Sequence, residues 1–530
     1  MGGLETTSRP AAEHAQVSGV AAAAALMAGS VLLSRVLGYV RESLLAYHFG
    51  ASGPADAYYA AFQIPDLLNH FLAAGALSIA FLPLYAQVRE RGEEEADRLL
   101  ATMVGNLGLL AVALTAGLVL AAEPLIALQF PAFDPEARAL TVRLTRIVLP
   151  AQVFFLVGGI VQASLLARGR FAAAALAPLV YNLGIVTGGV LLAPRIGVEG
   201  FAWGALAGAA LGPFGCPWLD ARRRVRLGTR IALGDPHFRR YLWLAVPVVA
   251  GFTLTTVDEW YGRWVGGTLG VGSIALLSYA RRLAQAPIAV IGQAVAAAAQ
   301  PALANLWAKG RGDELDRVLG TTLRTVLALG VLAGAALLAL AGPAVALVYQ
   351  RGAFTGADGE RTALLLAVLC AAIPAWVVQQ VAVRAFYARG DTWRPMLLGS
   401  AFALAALPLY LALGWRFGVT GVAIAGVLAM TGNALATVLY ARWRHGGPEL
   451  RPIVATGARA LAIAAPAAGA AALLVEGRSG TLGALLDLAL GGAAFAAVAG
   501  AGIAALGDAA LREPFARLAR RLPLRRAAAG

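Results

Sequence analysis

Apolar runs of about 20 residues or more recur along this 530-residue chain, separated by short polar connections. A run of that length, wound as a helix, crosses the roughly 30 Å hydrocarbon core of a bilayer. It must be a helix, because lipid offers no partner to an exposed backbone N–H or C=O. With 59% hydrophobic and 14% charged residues and a mean hydropathy of +0.72, a soluble globule has no interior large enough to hide these side chains. The pattern predicts an all-α integral membrane protein of about fourteen transmembrane helices, with no sizeable water-soluble domain.

The net charge of +14 is carried by arginines gathered in the connections. Seven of them, at 222, 223, 224, 226, 230, 239 and 240, lie between two apolar runs, and this distribution reads as membrane topology rather than a nucleic-acid surface. Nucleic acid is therefore not an expected partner. An even number of spans puts both termini on one side, and the loop-by-loop excess of arginine makes that side the cytoplasm. A cleavable signal peptide fits poorly, because arginines interrupt the first apolar segment. The leucine- and arginine-rich end of the chain, from Leu511, reads as an amphipathic helix on an anionic leaflet. Two cysteines, Cys216 and Cys370, are too few for a disulfide framework or a metal cluster and read as packing residues.

A duplication is visible. Ala167-Arg168-Gly169 matches Ala388-Arg389-Gly390, and Gly197-Val198-Glu199-Gly200 matches Gly418-Val419-Thr420-Gly421, both displaced by 221 residues. Arg91-Gly92-Glu93-Glu94 echoes Arg311-Gly312-Asp313-Glu314 at nearly the same offset. That displacement holds six spans, an even number, so the copies enter the membrane in the same direction. The expected organisation is a cytoplasmic tail (1–16), a six-helix lobe (17–218), a basic cytoplasmic loop (219–240), and a second, pseudo-symmetric six-helix lobe (241–445). Two further helices (446–508) and a basic amphipathic tail (509–530) follow. Two such lobes, opening alternately to either side, make a transporter.

Ionisable side chains at membrane depth are expensive, about 2.5 to 3.5 kcal/mol each on insertion scales, and are functional candidates by default. In the first span Arg35 and Glu42, seven residues apart, share nearly one face, with Arg41 beside them. Asp56, Asp66, Asn69 and His70 cluster around the second span, where Pro65 is a bend candidate. Asp56 reads equally as a helix cap. In the seventh span Asp258 and Glu259 precede Arg263, and Glu259 and Arg263 have the i,i+4 spacing of an ion pair. The eighth span carries Arg281 and Arg282, the tenth Arg384; the alternative for Arg281 and Arg384 is a head group snorkelling to the interface. The inventory is dominated by guanidinium, which clamps phosphate bidentately, so the expected cargo is an anion, a phosphate or pyrophosphate. No catalytic residue, metal site or cofactor is expected: the chain has no phosphate-binding glycine loop with its lysine, no HExxH and no paired-cysteine spacing. Energy then comes from an ion gradient, the membrane potential or the cargo.

These residues also carry a resemblance. Ser34-Arg35-Val36-Leu37-Gly38, Val40-Arg41-Glu42, Phe49-Gly50-Ala51, Ala55-Asp56-Ala57 and Ile64-Pro65-Asp66-Leu67-Leu68 resemble the opening signature of the MurJ (MviN) family of lipid II flippases. Matches continue through Tyr279-Ala280-Arg281-Arg282-Leu283, Gln350-Arg351-Gly352-Ala353-Phe354 and Phe386-Tyr387-Ala388-Arg389-Gly390. The resemblance implies the fold of the multidrug/oligosaccharidyl-lipid/polysaccharide exporters. It implies transfer of undecaprenyl-pyrophosphate-linked peptidoglycan precursor from the inner to the outer leaflet of a bacterial cytoplasmic membrane, with cell-wall synthesis proteins as partners. It also places Arg35, Arg41, Glu42 and Asp56 at the cavity, followed by Arg263 and Arg282. The chain departs from the family pattern in having Asn69 and His70 for two basic residues, Ala74 for glutamate, and Arg281 for aspartate. These departures shift the expected cavity toward positive charge and keep open an exporter of another polyprenyl-linked glycan, or a drug exporter of the same fold.

Overall fold

A computed structural model describes residues 9–72, 81–250 and 254–513, and among these every regular element is helical. Among the described residues eight helices are long and apolar enough to cross a membrane, or nine if the bent pair Gly356–Cys370 and Ile373–Tyr387 is one span. This count covers the described residues alone: the runs expected as the second and seventh spans extend into residues 73–80 and 251–253, outside them, and other expected spans are broken or joined. The second span is two short helices, Gly53–Ala61 and Gln63–Leu72, parted at Phe62, with Pro65 in the first turn of the second. Conversely, Trp393–His445 runs as one 53-residue element through a non-helical residue, Gly418. Residues 73–75, and the tail arginines beyond residue 513, lie outside the described residues.

The chain divides into two compact units. The first comprises Met1–Phe49 and Ala57–Ala250, the second Gly50–Asp56 and Gly251–Gly530. Within the first unit the helix Ala172–Leu191 packs against Glu199–Ala209 and against the first helix, Arg9–Phe49. Glycines at four-residue spacing make the first contact possible. A Cβ on Gly184 would fall 2.5 Å from Gly208 Cα, and one on Gly188 2.4 Å from the Gly200 carbonyl oxygen. In lipid no hydrophobic effect drives helices together, so such close backbone approach supplies the association through dispersion contacts.

The duplicated motifs adopt matching conformations. Gly169 and Gly390 are left-handed at φ 72° and 75°; Gly197 has φ 66°, ψ −150° and Gly418 φ 61°, ψ −145°. The arginine before each of the first pair makes a comparable junction in its own unit. Arg168 pairs with Asp97 at 3.5 Å and Glu93 at 2.6 Å with its guanidinium 6.0 Å from the Tyr85 ring. Arg389 pairs with Asp316 at 2.6 Å over the Trp307 ring at 5.5 Å. At these motifs the local structures match: each arginine ties a helix–helix turn to the charged start of a long helix, Glu93–Leu120 or Gly312–Ala339.

Both cysteines are free, Cys370 buried and Cys216 partly so. In the last part of the second unit Asp508 accepts hydrogen bonds from Arg324 (2.9 Å) and Thr456 (2.5 Å), joining the segment after the helix Gly480–Leu506 to two earlier helices.

Candidate functional site

The charged residues singled out in the sequence fall into two clusters, one in each unit. In the first unit the helix Arg9–Phe49 presents Arg35 and Arg41 half-buried and Glu42 buried. Arg41 donates to Glu42 at 2.5 Å, and the Tyr59 hydroxyl donates to the other Glu42 oxygen. Glu42 thus receives a cation and a phenol on its two oxygens, which is how an apolar interior tolerates a carboxylate. Among the described residues Arg41 keeps a buried Nε with no hydrogen-bond partner, so this guanidinium still has donor capacity in a place where an unmet donor is costly. One turn and more away, Asn182 donates to Ser34 at 3.0 Å and holds the helix Ala172–Leu191 alongside. Asp66 is exposed and His70 half-buried on Gln63–Leu72.

In the second unit Asp258 is buried on Leu254–Gly266. Arg281, from Ser273–Pro287, meets its Oδ2 at 3.0 Å, and the Tyr410 hydroxyl donates to Oδ1. Two glycines create the space. A Cβ on Gly426 would come within 2.6 Å of Asp258 Oδ1, and one on Gly262 within 3.1 Å of both terminal nitrogens of Arg281. Arg281 therefore does not snorkel. It is 14% exposed at the side chain and serves as the counter-ion of an internal acid. Glu259 and Arg263 do stand i,i+4, but at 3.9 Å; Glu259 also accepts from Gln285 at 3.1 Å. Arg263 and Arg282 are both half-buried.

Asp56 takes the cap role, one of its two sequence readings, on an unexpected helix. It caps a helix, but one 216 residues further along the chain. Its two carboxylate oxygens accept from the backbone amides of Gly272 (2.6 Å) and Ala275 (2.8 Å), at the start of Ser273–Pro287. These are orphan donors of a helix N-terminus, and the positive end of that helix's dipole favours the charge. Asp56 thus orients the helix that carries Arg281 and Arg282. Sequence reading missed Tyr59, Tyr410 and Gln285, whose polar tips were hidden inside aromatic and apolar runs. Their one legible signal was a hydrogen-bonding group at membrane depth.

Each cluster offers guanidinium on a framework of paired acids. Among the described residues no group of three or more histidine, cysteine or carboxylate side chains is placed to hold a metal ion.

The chain matches the family model described as lipid II flippase MurJ over residues 45–491. Relatives include a probable lipid II flippase MurJ of Rhizobium meliloti (strain 1021), 29% identical over 441 residues, covering 80% of this chain and 81% of that one. The lipid II flippase MurJ of Burkholderia cenocepacia is 27% identical over 379 residues, covering 70% and 73%. Among solved structures, a lipid II flippase MurJ in an inward closed conformation superposes with a TM-score of 0.76 at 23% identity, over 91% of this chain and 99% of the other. An inward-facing multidrug transporter of the MATE family superposes at 0.66 and 16% identity, over 77% and 94%. These structures share the fold.

Proposed function

We propose that this chain, which belongs to the MurJ lipid II flippase family, moves undecaprenyl-pyrophosphate-linked peptidoglycan precursor from the inner to the outer leaflet of the bacterial cytoplasmic membrane. It is a multi-pass membrane transporter, not an enzyme. The observation that carries the cargo's chemistry is Arg41. Its guanidinium is held by Glu42 in the first unit and keeps a buried nitrogen without a partner among the described residues, an arrangement suited to a phosphate oxygen.

In this reading fourteen spans form two six-helix lobes (17–218 and 241–445) and two further helices (446–508), with both termini in the cytoplasm. The 221-residue repeat supports the lobes, and the arginine-rich connections support the orientation. Arg35, Arg41, Arg263 and Arg282 bind the pyrophosphate, with Glu42, Asp258 and Glu259 keeping the surrounding charge in balance and Asp66 at the rim. Asp56 is a positioning residue for Arg282. The polyprenyl tail stays in lipid. Binding neutralises the arginines, the lobes rock, and release resets them. An ion gradient or the membrane potential drives the cycle, and cell-wall synthesis proteins use the exported precursor.

The test is depletion of the resident lipid II flippase in a bacterium, expression of this chain, and measurement of lipid II at the outer leaflet. Rescue that Arg41→Ala removes, in a protein inserted at wild-type levels, supports the reading. Failure of the well-inserted wild-type chain transfers the proposal to another polyprenyl-linked glycan.

A further inference from the structure

The connection holding the seven arginines is not a free loop. From Arg226 to Ala232 it runs against the helix Glu93–Leu120 and is bonded to it at three levels. Arg226 N donates to Asp97 Oδ2 (3.2 Å), and Arg230 N donates to the Ala101 carbonyl (2.9 Å). Ala232 then exchanges two hydrogen bonds with the Asn106 side chain, at 2.8 and 2.9 Å. Val225 is buried with Leu99, Leu100 and Met103, and so is Phe238 at the strap's far end. Gly105 is where the strap comes closest: a Cβ there would lie 2.3 Å from the Arg230 carbonyl oxygen.

Most of the strap's arginines face the other way. Arg222, Arg223, Arg230, Arg239 and Arg240 are exposed and form no ion pair among the described residues. Between and beyond them Ile231, Leu233 and Trp243 are 66%, 60% and 80% exposed. Over the bonded stretch the order follows depth. From Asp97 to Asn106 the strap climbs nine residues, about 13 Å, from the charged end of the helix toward its apolar part, so Arg222, Arg223 and Arg230 come first and Ile231 and Leu233 follow, before the chain returns to Arg239 and Arg240. Guanidinium at headgroup level with aliphatic and indole groups deeper is the profile of the membrane interface.

We propose that residues 222–243 form a preformed docking site for anionic phospholipid headgroups. Arg222, Arg223 and Arg230 contact the phosphodiesters, and Ile231, Leu233 and Trp243 lie among the adjoining acyl chains. The charge complementarity selects the lipid. The bonds to Asp97, Ala101 and Asn106 hold the arginines in place before it arrives, so little ordering entropy remains to be lost on binding.

The full chain, purified in detergent, is titrated with phosphatidylglycerol and with phosphatidylcholine, and bound lipid is counted by native mass spectrometry. Wild type binds phosphatidylglycerol in preference. Each arginine near an anionic surface is worth about fivefold, so R222Q/R223Q/R230Q binds it on the order of 100-fold more weakly. A control with the same charge change at exposed positions elsewhere, R351Q/R361Q/R416Q, keeps wild-type binding. Asn106→Ala and Gly105→Val leave every arginine in place but release or displace the strap, and each weakens binding about tenfold. Wild-type binding by the strap triple variant, or an equal loss in the control, overturns the site. Unchanged binding by both Asn106→Ala and Gly105→Val, in monodisperse protein, overturns its preformed character.

Discussion

Arg281 lies 3.0 Å from Asp258, its guanidinium supplied by the next helix along the chain to a carboxylate that is itself buried. The second unit thus carries its own counter-ion for an internal acid. Removing one partner of a buried pair leaves the other charge uncompensated, and the loss exceeds the net value of the pair. Arg281→Ala is expected to lower stability by about 3–5 kcal/mol, read as a depressed melting temperature in detergent. D258N/R281A, which removes both charges, recovers a large part of it. A double variant no more stable than Arg281→Ala would show that the charge of Asp258 is not what suffers.

Gly426 makes room for the same pair. Its substitution by alanine puts a methyl group 2.6 Å from Asp258 Oδ1 and 3.1 Å from the Tyr410 hydroxyl. Overpacking of this kind costs about 1–3 kcal/mol, so Gly426→Ala melts earlier than wild type, whereas Gly469→Ala, where a Cβ meets nothing within 4 Å, does not.

Asp56 has two oxygens for two amides. Asn at this position keeps one acceptor oxygen and Ala none, so Asp56→Ala is expected to cost about 2 kcal/mol and Asp56→Asn less. Because the helix start being capped leads to Arg282, both variants should lower transport in the same order. Full transport by Asp56→Ala would remove its positioning role.

The Asp508 carboxyl is pushed up by burial, yet the hydrogen bonds from Thr456, Arg324 and the Leu511 amide outweigh this and hold it below the ordinary aspartate range. A depressed folded value means the stabilisation is complete above the unfolded value of about 3.9 and is lost as pH falls below that toward the folded value. Melting temperature should therefore decline in this acid window. Asp508→Asn should be less stable at neutral pH and show a shallower acid decline; an identical acid limb in the variant would assign the decline to other groups.

Arg41→Lys tests the fork geometry in the first unit. Lysine keeps the charge but has one nitrogen, so it cannot donate to Glu42 and to a phosphate oxygen with the planar fork of arginine. Transport by Arg41→Lys should fall well below wild type while remaining above that of Arg41→Ala, both measured at matched membrane levels.

The length and apolarity of the runs were enough to predict helices in a membrane, because in lipid the backbone has no other way to satisfy its hydrogen bonds. The 221-residue repeat was legible for a similar reason: Gly169, Gly390, Gly197 and Gly418 occupy left-handed conformations that disfavour a side chain, so the glycines persist in the sequence as markers. That Arg35, Arg41, Glu42 and Asp258 were candidates was legible from the cost of a charge at that depth. Which group answers each charge was not. Tyr59 with Glu42, Tyr410 and Arg281 with Asp258, and the amides of Gly272 and Ala275 with Asp56 are all partners from other helices. Likewise, the arginines of residues 222–240 read as a polar connection until Asp97, Ala101 and Asn106 pinned their backbone to a helix. Hydropathy and spacing are properties of a segment and survive in one dimension. The pairing of buried charges depends on which helix faces lie side by side, and only the tertiary structure decides that.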